Sequence, residues 1–340
     1  MRIGNLVLLL LTIPIGSCSV PYNRVVVYCA QDAEFAEGIF ADFTRIHGIK
    51  VEAKFDTEAT KTVGLVEDIV NEAKRPRCDI FWGNEPLQAI RLHKKGLLEA
   101  YSSPSASEYP SWTQGATWQA FAARPRIIIV NTELVPEAER PRSLFELEQP
   151  KWKGKLCMAK PLFGTTATQA ACLWEVLGPQ RTKTFYENLH KNEIAIVAGN
   201  RHVASEVAKG KYALGLTDSD DALAELAQGK PVALIFPDQN GYPDYPRWGT
   251  LYLPNTLSLV KGAPNINNAK SLIDYLLRPE TEAKLAEGGG YQIPLNPKTK
   301  ATLHPALIRP EKVKVMKVDW EKAAECWEPS QEFLRNLFAR

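Results

Sequence analysis

Two acidic constellations are the residues of this chain best placed to do chemistry. Glu85 follows the apolar run Cys78–Trp82 across the turn Gly83-Asn84. Asp218, Asp220 and Asp221 crowd the segment TDSDD, just after the run Ala213–Leu216. Carboxylates so close together repel one another unless a cation or a set of donors lies beside them, so the cluster is a candidate for holding a ligand. Both constellations also have a plainer reading. Pro86 suits the first position of a helix, which makes Glu85 a capping or first-turn acid. The aspartates equally suit the solvated start of the helix that follows them.

Catalytic signatures are missing. The chain has no GxSxG elbow, no Walker loop and no dinucleotide fingerprint after a strand. Gly288-Gly289-Gly290 follows a helical pattern and reads as a helix end and turn. His47, His93, His190, His202 and His304 are scattered, without metal-type spacing. Asp238-Gln239-Asn240-Gly241 lacks the remaining ligands of a calcium loop and reads as a turn. Carboxylate pairs without a substrate pose do not imply hydrolysis. The sequence therefore points away from an enzyme and toward a binder without a resident cofactor.

The elements that must position these acids alternate strictly. RVVVYC (Arg24–Cys29), IKVEAKF (Ile49–Phe55) and Cys78–Trp82 read as strands, with amphipathic helices between them. Gln88–Lys95 reads as a helix stopped by Gly96. After a polar connection over 100–118, RIIIVN (Arg126–Asn131) opens a second series. Its strands are expected at Leu156–Ala159, Ile194–Ala198, Ala213–Leu216 and Val232–Phe236. Its helices are expected at Ala167–Leu177, Thr182–Lys191, Val203–Lys209 and Ala222–Ala227. A turn-rich crossover, Pro237–Trp248, leads to an extended run ending at Val260 and helices at Asn268–Leu277 and Glu280–Glu287. Alternating β and α units imply parallel, doubly wound sheets, which bind ligands at their strand ends. Chain crossings near 124 and 248 make a hinge between two α/β lobes.

The chain's 340 residues carry 41 basic and 39 acidic side chains, a balance that offers no basic excess for nucleic acid. The N-terminus differs from the rest. Arg2, the apolar run Leu6–Ile13 and the small residues before Cys18 read as an export signal too short to span a bilayer permanently. The remaining cysteines, Cys29, Cys78, Cys157, Cys172 and Cys326, are odd in number, so disulfides cannot pair them all.

The order of these motifs resembles the extracellular solute-binding proteins of ABC importers, closest to the ferric-iron-binding branch. The resemblance rests on LTIPIGSC, GIKVEAKFDTEATKT, RPRCDIFWGNE, the pair Arg124-Pro125-Arg126 before IIIVN, and LRPETEAKLAEGGGYQIPL. It implies a two-lobed Venus-flytrap fold of the periplasmic-binding-protein kind, with two hinge crossings and the ligand between the lobes. The expected division is a signal peptide at 1–17, a tether at 18–23 lipidated on Cys18, lobe one at 24–123 plus 249–300, lobe two at 124–248, and a helical cap over one lobe at 301–340. The resemblance implies a monomer held to a membrane by its lipid, in the periplasm or outside the cytoplasm, delivering its solute to a permease and an ATPase.

The same resemblance suggests the site. Glu85 matches the carboxylate after the third strand, and Asp32 stands where such members carry a histidine. Gly164, Thr165 and Thr166 match a helix start that holds an anion, a place rich in free N–H groups. Asn200 and Arg201 match an anion-binding asparagine, and Arg124 an arginine ahead of the second-lobe strand. Where the branch has adjacent tyrosines, this chain has Ser219 and Asp220 in LTDSDDA. A metal held by Glu85 and Asp220 with a synergistic anion, a phosphate or phosphonate, and a zwitterion are the solutes these groups suggest. An enzyme acting on a small phosphate ester, or a sensory receptor without transport, are the alternatives.

Overall fold

The strand RVVVYC, β1 (Arg24–Cys29), starts the architecture in a computed structural model that describes residues 23–56 and 62–338. The expected signal peptide, Cys18 and nearly all of the tether lie outside the described residues. Asp32 precedes helix α1 (Ala33–His47), which buries Ala36, Ile39, Phe40 and Phe43 and ends on Gly48. Gly48 takes φ 65°, a left-handed conformation that glycine adopts without strain. Strand β2 (Lys50–Phe55) pairs parallel with β1, and after α2 (Val63–Asn71) the short strand β3 (Ile80–Gly83) pairs parallel on its other side. Helix α3 (Pro86–Lys94) and the two-residue β4 (Leu98–Glu99) follow.

The next strand joins the halves of the molecule. β5 (Gln119–Asn131) is buried along all 13 of its residues. It starts well before Arg126, where the apolar run begins. Arg124, Pro125 and Arg126 are polar or turn-forming in pattern, so pattern alone starts the strand late; buried Asp218 receives the two guanidinium groups. Residues 119–125 of β5 belong to the first sheet and residues 126–131 to the second.

The second sheet is built from β6 (Leu156–Ala159), α4 (Gly164–Leu177), α5 (Pro179–Lys191), β7 (Ala195–Val197), α6 (Asn200–Ala208), β8 (Leu214–Asp218), α7 (Ser219–Ala227) and β9 (Val232–Ile235). The chain then returns through a segment in which Trp248 is fully buried and stacks on Phe145 at 5.0 Å. β10 (Tyr252–Val260) pairs antiparallel with both β3 and β5, and α8 (Ile266–Leu276) and α9 (Pro279–Glu287) complete the first lobe. The strand order is β2-β1-β3-β10-β5-β8-β6-β7, with β4 on β10 and β9 on β5.

One core runs through both sheets, joining Trp82 and Phe121 of the first to Ile128, Met158 and Phe185 of the second, and a further cluster packs mainly on the second. Trp82, fully buried, meets Phe40 edge-on at 5.7 Å and Phe121 at 5.2 Å in the first. Ile127, Ile129, Val203, Val207 and Leu223 pack together in the second. The five cysteines beyond Cys18 are all free thiols, and four of them are buried. Among the described residues, no helix is long and apolar enough to cross a membrane.

The C-terminal segment corrects one expectation. It is helical only from α10 (Trp320–Glu325) through α11 (Trp327–Phe338), apart from one short turn at 310–312, and it does not cap a single lobe. Its rings face the second lobe, with Phe333 near Trp174 at 6.0 Å and Phe338 near Tyr186 at 6.4 Å. Its acids face the first, where Glu325 pairs with Lys94 at 2.9 Å and Glu328 with Arg91. An amphipathic tail with one face of each kind lies across α3, α4 and α5 together.

Candidate ligand-binding site

Three helices of the second lobe begin three residues earlier than their apolar periodicity predicts. α4 starts at Gly164 rather than Ala167, α6 at Asn200 rather than Val203, and α7 at Ser219 rather than Ala222. The added first turns are polar, Gly-Thr-Thr, Asn-Arg-His and Ser-Asp-Asp, so periodicity cannot register them. Phe163, Gly199 and Asp218 occupy the cap positions, and none caps its helix with its side chain. Asp32 likewise precedes α1 without a side-chain cap bond. Helix starts of this kind present backbone N–H groups and a partial positive charge of about +0.5 each.

These helix starts wall one cavity between the lobes, of about 30 Å³. A water molecule needs roughly 10–15 Å³ by this measure, so the closed cleft holds a pair of waters or the end of a small solute. Gln31, Asp32 and Asn84 come from the first lobe; Lys160, the first turns of α4 and α6, and Asp218, Asp220 and Asp221 come from the second. Arg124 lies at the floor, where β5 passes from one sheet to the other.

Asp218 is the hub of the cleft's second-lobe wall. Antiparallel register places it opposite Arg126 on β5, and Arg126 Nη1 donates to Asp218 Oδ1 at 2.9 Å. The Thr165 hydroxyl and Asn200 Nδ2 donate to Oδ2 at 2.6 Å and 3.1 Å. Arg124 Nε stands 3.5 Å from the same oxygen and 3.7 Å from Asp220. Burial alone would push the Asp218 carboxyl up, but the guanidinium groups of Arg126 and Arg124 and the Thr165 hydroxyl outweigh it and hold the group below the usual carboxylate range. Burial pulls Arg124 down, and Asp220 and Asp218 more than offset that pull. Asp218, Asp220 and Asp221 each bring an oxygen to within 4.8 Å of the others, a spacing compatible with a shared cation.

Three of the expected site residues stand elsewhere. Glu85 is buried and turned away from the cavity, because its oxygens accept from Leu87 N at 2.6 Å and Gln88 N at 3.1 Å as the cap of α3. Burial is the main influence on its carboxyl and pushes it up to about 7. It is the plainer reading of Glu85 that describes its position, so a metal shared by Glu85 and Asp220 has no geometric support. Ser219 is fully buried behind the wall, and its hydroxyl has no hydrogen-bond partner. Arg201 sits at the rim, half exposed, and pairs with Glu34 of α1 at 2.8 Å across the mouth. Asp32, Arg124, Gly164, Thr165, Thr166, Asn200, Asp218 and Asp220 do line the cavity.

Sequence reasoning missed Asn84, Gln31 and Lys160. Asn84 was within reach, since it shares the strand-end turn with Glu85. Its carbonyl accepts from Arg124 Nη2 at 2.9 Å and so ties the floor to the first lobe.

Comparisons with known proteins bear on the family and the fold. A family profile described as bacterial extracellular solute-binding protein matches residues 25–291. The chain belongs to the bacterial extracellular solute-binding proteins. It is 25% identical over 299 residues to iron uptake protein A1 of Synechocystis sp., covering 83% of this chain and 78% of that one. It is 24% identical over 227 residues to a Salmonella typhimurium protein named as a candidate 2-aminoethylphosphonate-binding periplasmic protein, covering 66% of this chain and 64% of the relative. Among solved structures, the periplasmic binding protein AfuA of Actinobacillus pleuropneumoniae, with fructose-6-phosphate bound, superposes with a TM-score of 0.79 at 23% identity, over 93% of this solute-binding protein and 98% of AfuA. The mixed α/β architecture is thus a periplasmic binding protein fold.

Proposed function

We propose that this chain is the solute-capturing component of an ABC importer, exported from the cytoplasm, held to a membrane through lipidated Cys18, and working as a monomer. The observation that carries the proposal is the polar cavity between the lobes, where Asp32 and Asn84 from one side face Thr165, Thr166, Asn200 and Asp220 from the other. A solute bound there would touch both lobes at once. Such a ligand favours the closed form over the open one, and this differential affinity is what drives a hinge transition. β5 and the return into β10 are the crossings that bend, and the pair Arg201–Glu34 closes the mouth. A permease with its ATPase would then read the closed form.

The named ligands of the relatives, iron, 2-aminoethylphosphonate and fructose-6-phosphate, support a small, polar solute. A thermal-shift screen of the purified chain against metals with and without anions, phosphonates, polyols and amines tests the reading. A true ligand at about 100 times its dissociation constant adds about 2.7 kcal/mol to stability. D220N should reduce that shift. Turnover of a phosphate ester over hours would move the reading to an enzyme instead.

A further inference from the structure

We infer that Asp218 is an internal anion that fills the cradle made by Thr165, Asn200, Arg126 and Arg124, so that the buried end of the solute is a neutral or cationic hydrogen-bond donor and an oxyanion is turned away. The inference rests on the reading of the cleft as a solute site and narrows its chemistry.

A proton count carries it. A threonine hydroxyl has one proton, and that of Thr165 goes to Asp218 Oδ2 at 2.6 Å. A carboxamide nitrogen has two; those of Asn200 go to Thr165 Oγ1 at 2.8 Å and Asp218 Oδ2 at 3.1 Å. Arg126 directs its donors to Gln169, Asn200 and Asp218 at 3.1, 2.9 and 2.9 Å, and at 3.4 Å to the hydroxyls of Thr165 and Thr166. The side chains at this helix start that would grip a phosphate are therefore satisfied within the protein, Thr165 by the Asp218 carboxylate and Thr166 by Asn200 Oδ1 at 3.2 Å. An incoming oxyanion would have to displace Asp218 from two buried guanidinium groups, or meet a negative charge at contact distance.

Apart from Lys160, which also lines the cavity, the remaining charged side chains are of the opposite kind. An ionised carboxylate offers about four acceptor positions and no donor. Asp218 uses one at Oδ1 and two at Oδ2. The carboxylates of Asp32 and Asp220 line the same cavity, Asp220 also standing 3.7 Å from Arg124. The backbone N–H groups of the α4 and α6 first turns complement them for a neutral oxygen. Hydroxyl groups, which donate and accept, satisfy both sets, and an ammonium group satisfies the acids.

Calorimetry with inorganic phosphate tests this on the wild-type chain and on D218N. The substitution keeps the shape of the side chain, removes the internal charge and frees donors for an external one. Wild type is expected to give no saturable heat. D218N, shown to be folded by circular dichroism, is expected to bind phosphate at least about tenfold more tightly. Folded D218N without that gain overturns the inference. Because D218N leaves Arg124 and Arg126 facing a neutral amide and could fail to fold, a second measurement uses wild type and T165V only. Saturable phosphate binding by wild type that T165V weakens overturns the inference on its own, and leaves the receptor reading standing. Fructose against fructose-6-phosphate, and ethylamine against 2-aminoethylphosphonate, separate the polyol and ammonium arms; preference for either phosphorylated partner also contradicts it. If phosphate binds D218N while no solute of any charge binds wild type, the receptor reading falls and the inference about the cradle survives.

Discussion

Glu85 and Asp218 are both buried acids at strand ends, and the cleft treats them oppositely. Glu85 receives backbone N–H groups, but burial dominates and its carboxyl is raised from 4.5 to about 7. A raised acid contributes stability that is fully present below the ordinary value and is lost as pH rises through the folded one. The chain should therefore lose stability between about pH 4.5 and 7, on the order of 3 kcal/mol from this residue at the conversion of 1.36 kcal/mol per pKa unit. Melting curves of E85Q across this window should be flatter than those of wild type; an unchanged slope would show that Glu85 is not the group involved. The sequence singled out Glu85 as a cleft ligand, whereas its oxygens cap α3. It could not say which way the side chain turns, because a capping carboxylate and a ligand-facing one occupy the same position in the pattern. The reverse holds for Asp218, whose partners on β5, α4 and α6 are 92, 53 and 18 residues away and have no local signature.

The elements were legible where their surfaces are apolar and illegible where they are polar. RVVVYC, IKVEAKF and CDIFW announce the first sheet, and Gly48 and Gly96 announce helix ends. Helix starts at the cleft were each read late, because Gly164–Thr166, Asn200–His202 and Ser219–Asp221 bury no large apolar side chain against the core. Their function is to show polar groups and N–H donors to the cavity, which is incompatible with an apolar signal. β5 was cut short for a related reason, since its arginines are core residues only by virtue of distant aspartates. Element packing at the cleft also has a narrow point at Gly215 on β8. A Cβ there would stand 2.4 Å from Val203 and 3.1 Å from Ile129. G215V is expected to destabilise the fold by about 1–3 kcal/mol, as overpacking does. It should also weaken solute binding by displacing α6 and Asn200. Chemical denaturation and calorimetry on the same preparation check both; a variant of wild-type stability and affinity would mean that α6 is free to shift without consequence.

For the molecule as a whole, closure is the property that matters, and two contacts outside the cavity bear on it. Arg201–Glu34 spans the mouth at a solvated position, where such a pair is worth about 0.2–1 kcal/mol. R201A should therefore speed solute release by at most about fivefold, with little change in capture, in stopped-flow traces of tryptophan fluorescence. A change of many orders would make the pair part of the binding machinery. The α10–α11 tail is the second contact, lying across both lobes with an ionic face toward α3 and an aromatic face toward α4 and α5. Two lobes were legible in the sequence from the repeated α/β alternation and its crossings; the bridging position of the tail was not, because amphipathicity names a buried face but not its partner. Hydrogen exchange of backbone amides, with and without the solute found by screening, tests capture between the lobes most directly. Exchange is expected to slow together at 32–34, 164–166, 200–202 and 219–221, on both walls of the cavity. Protection confined to one lobe, or located away from these helix starts, would contradict it.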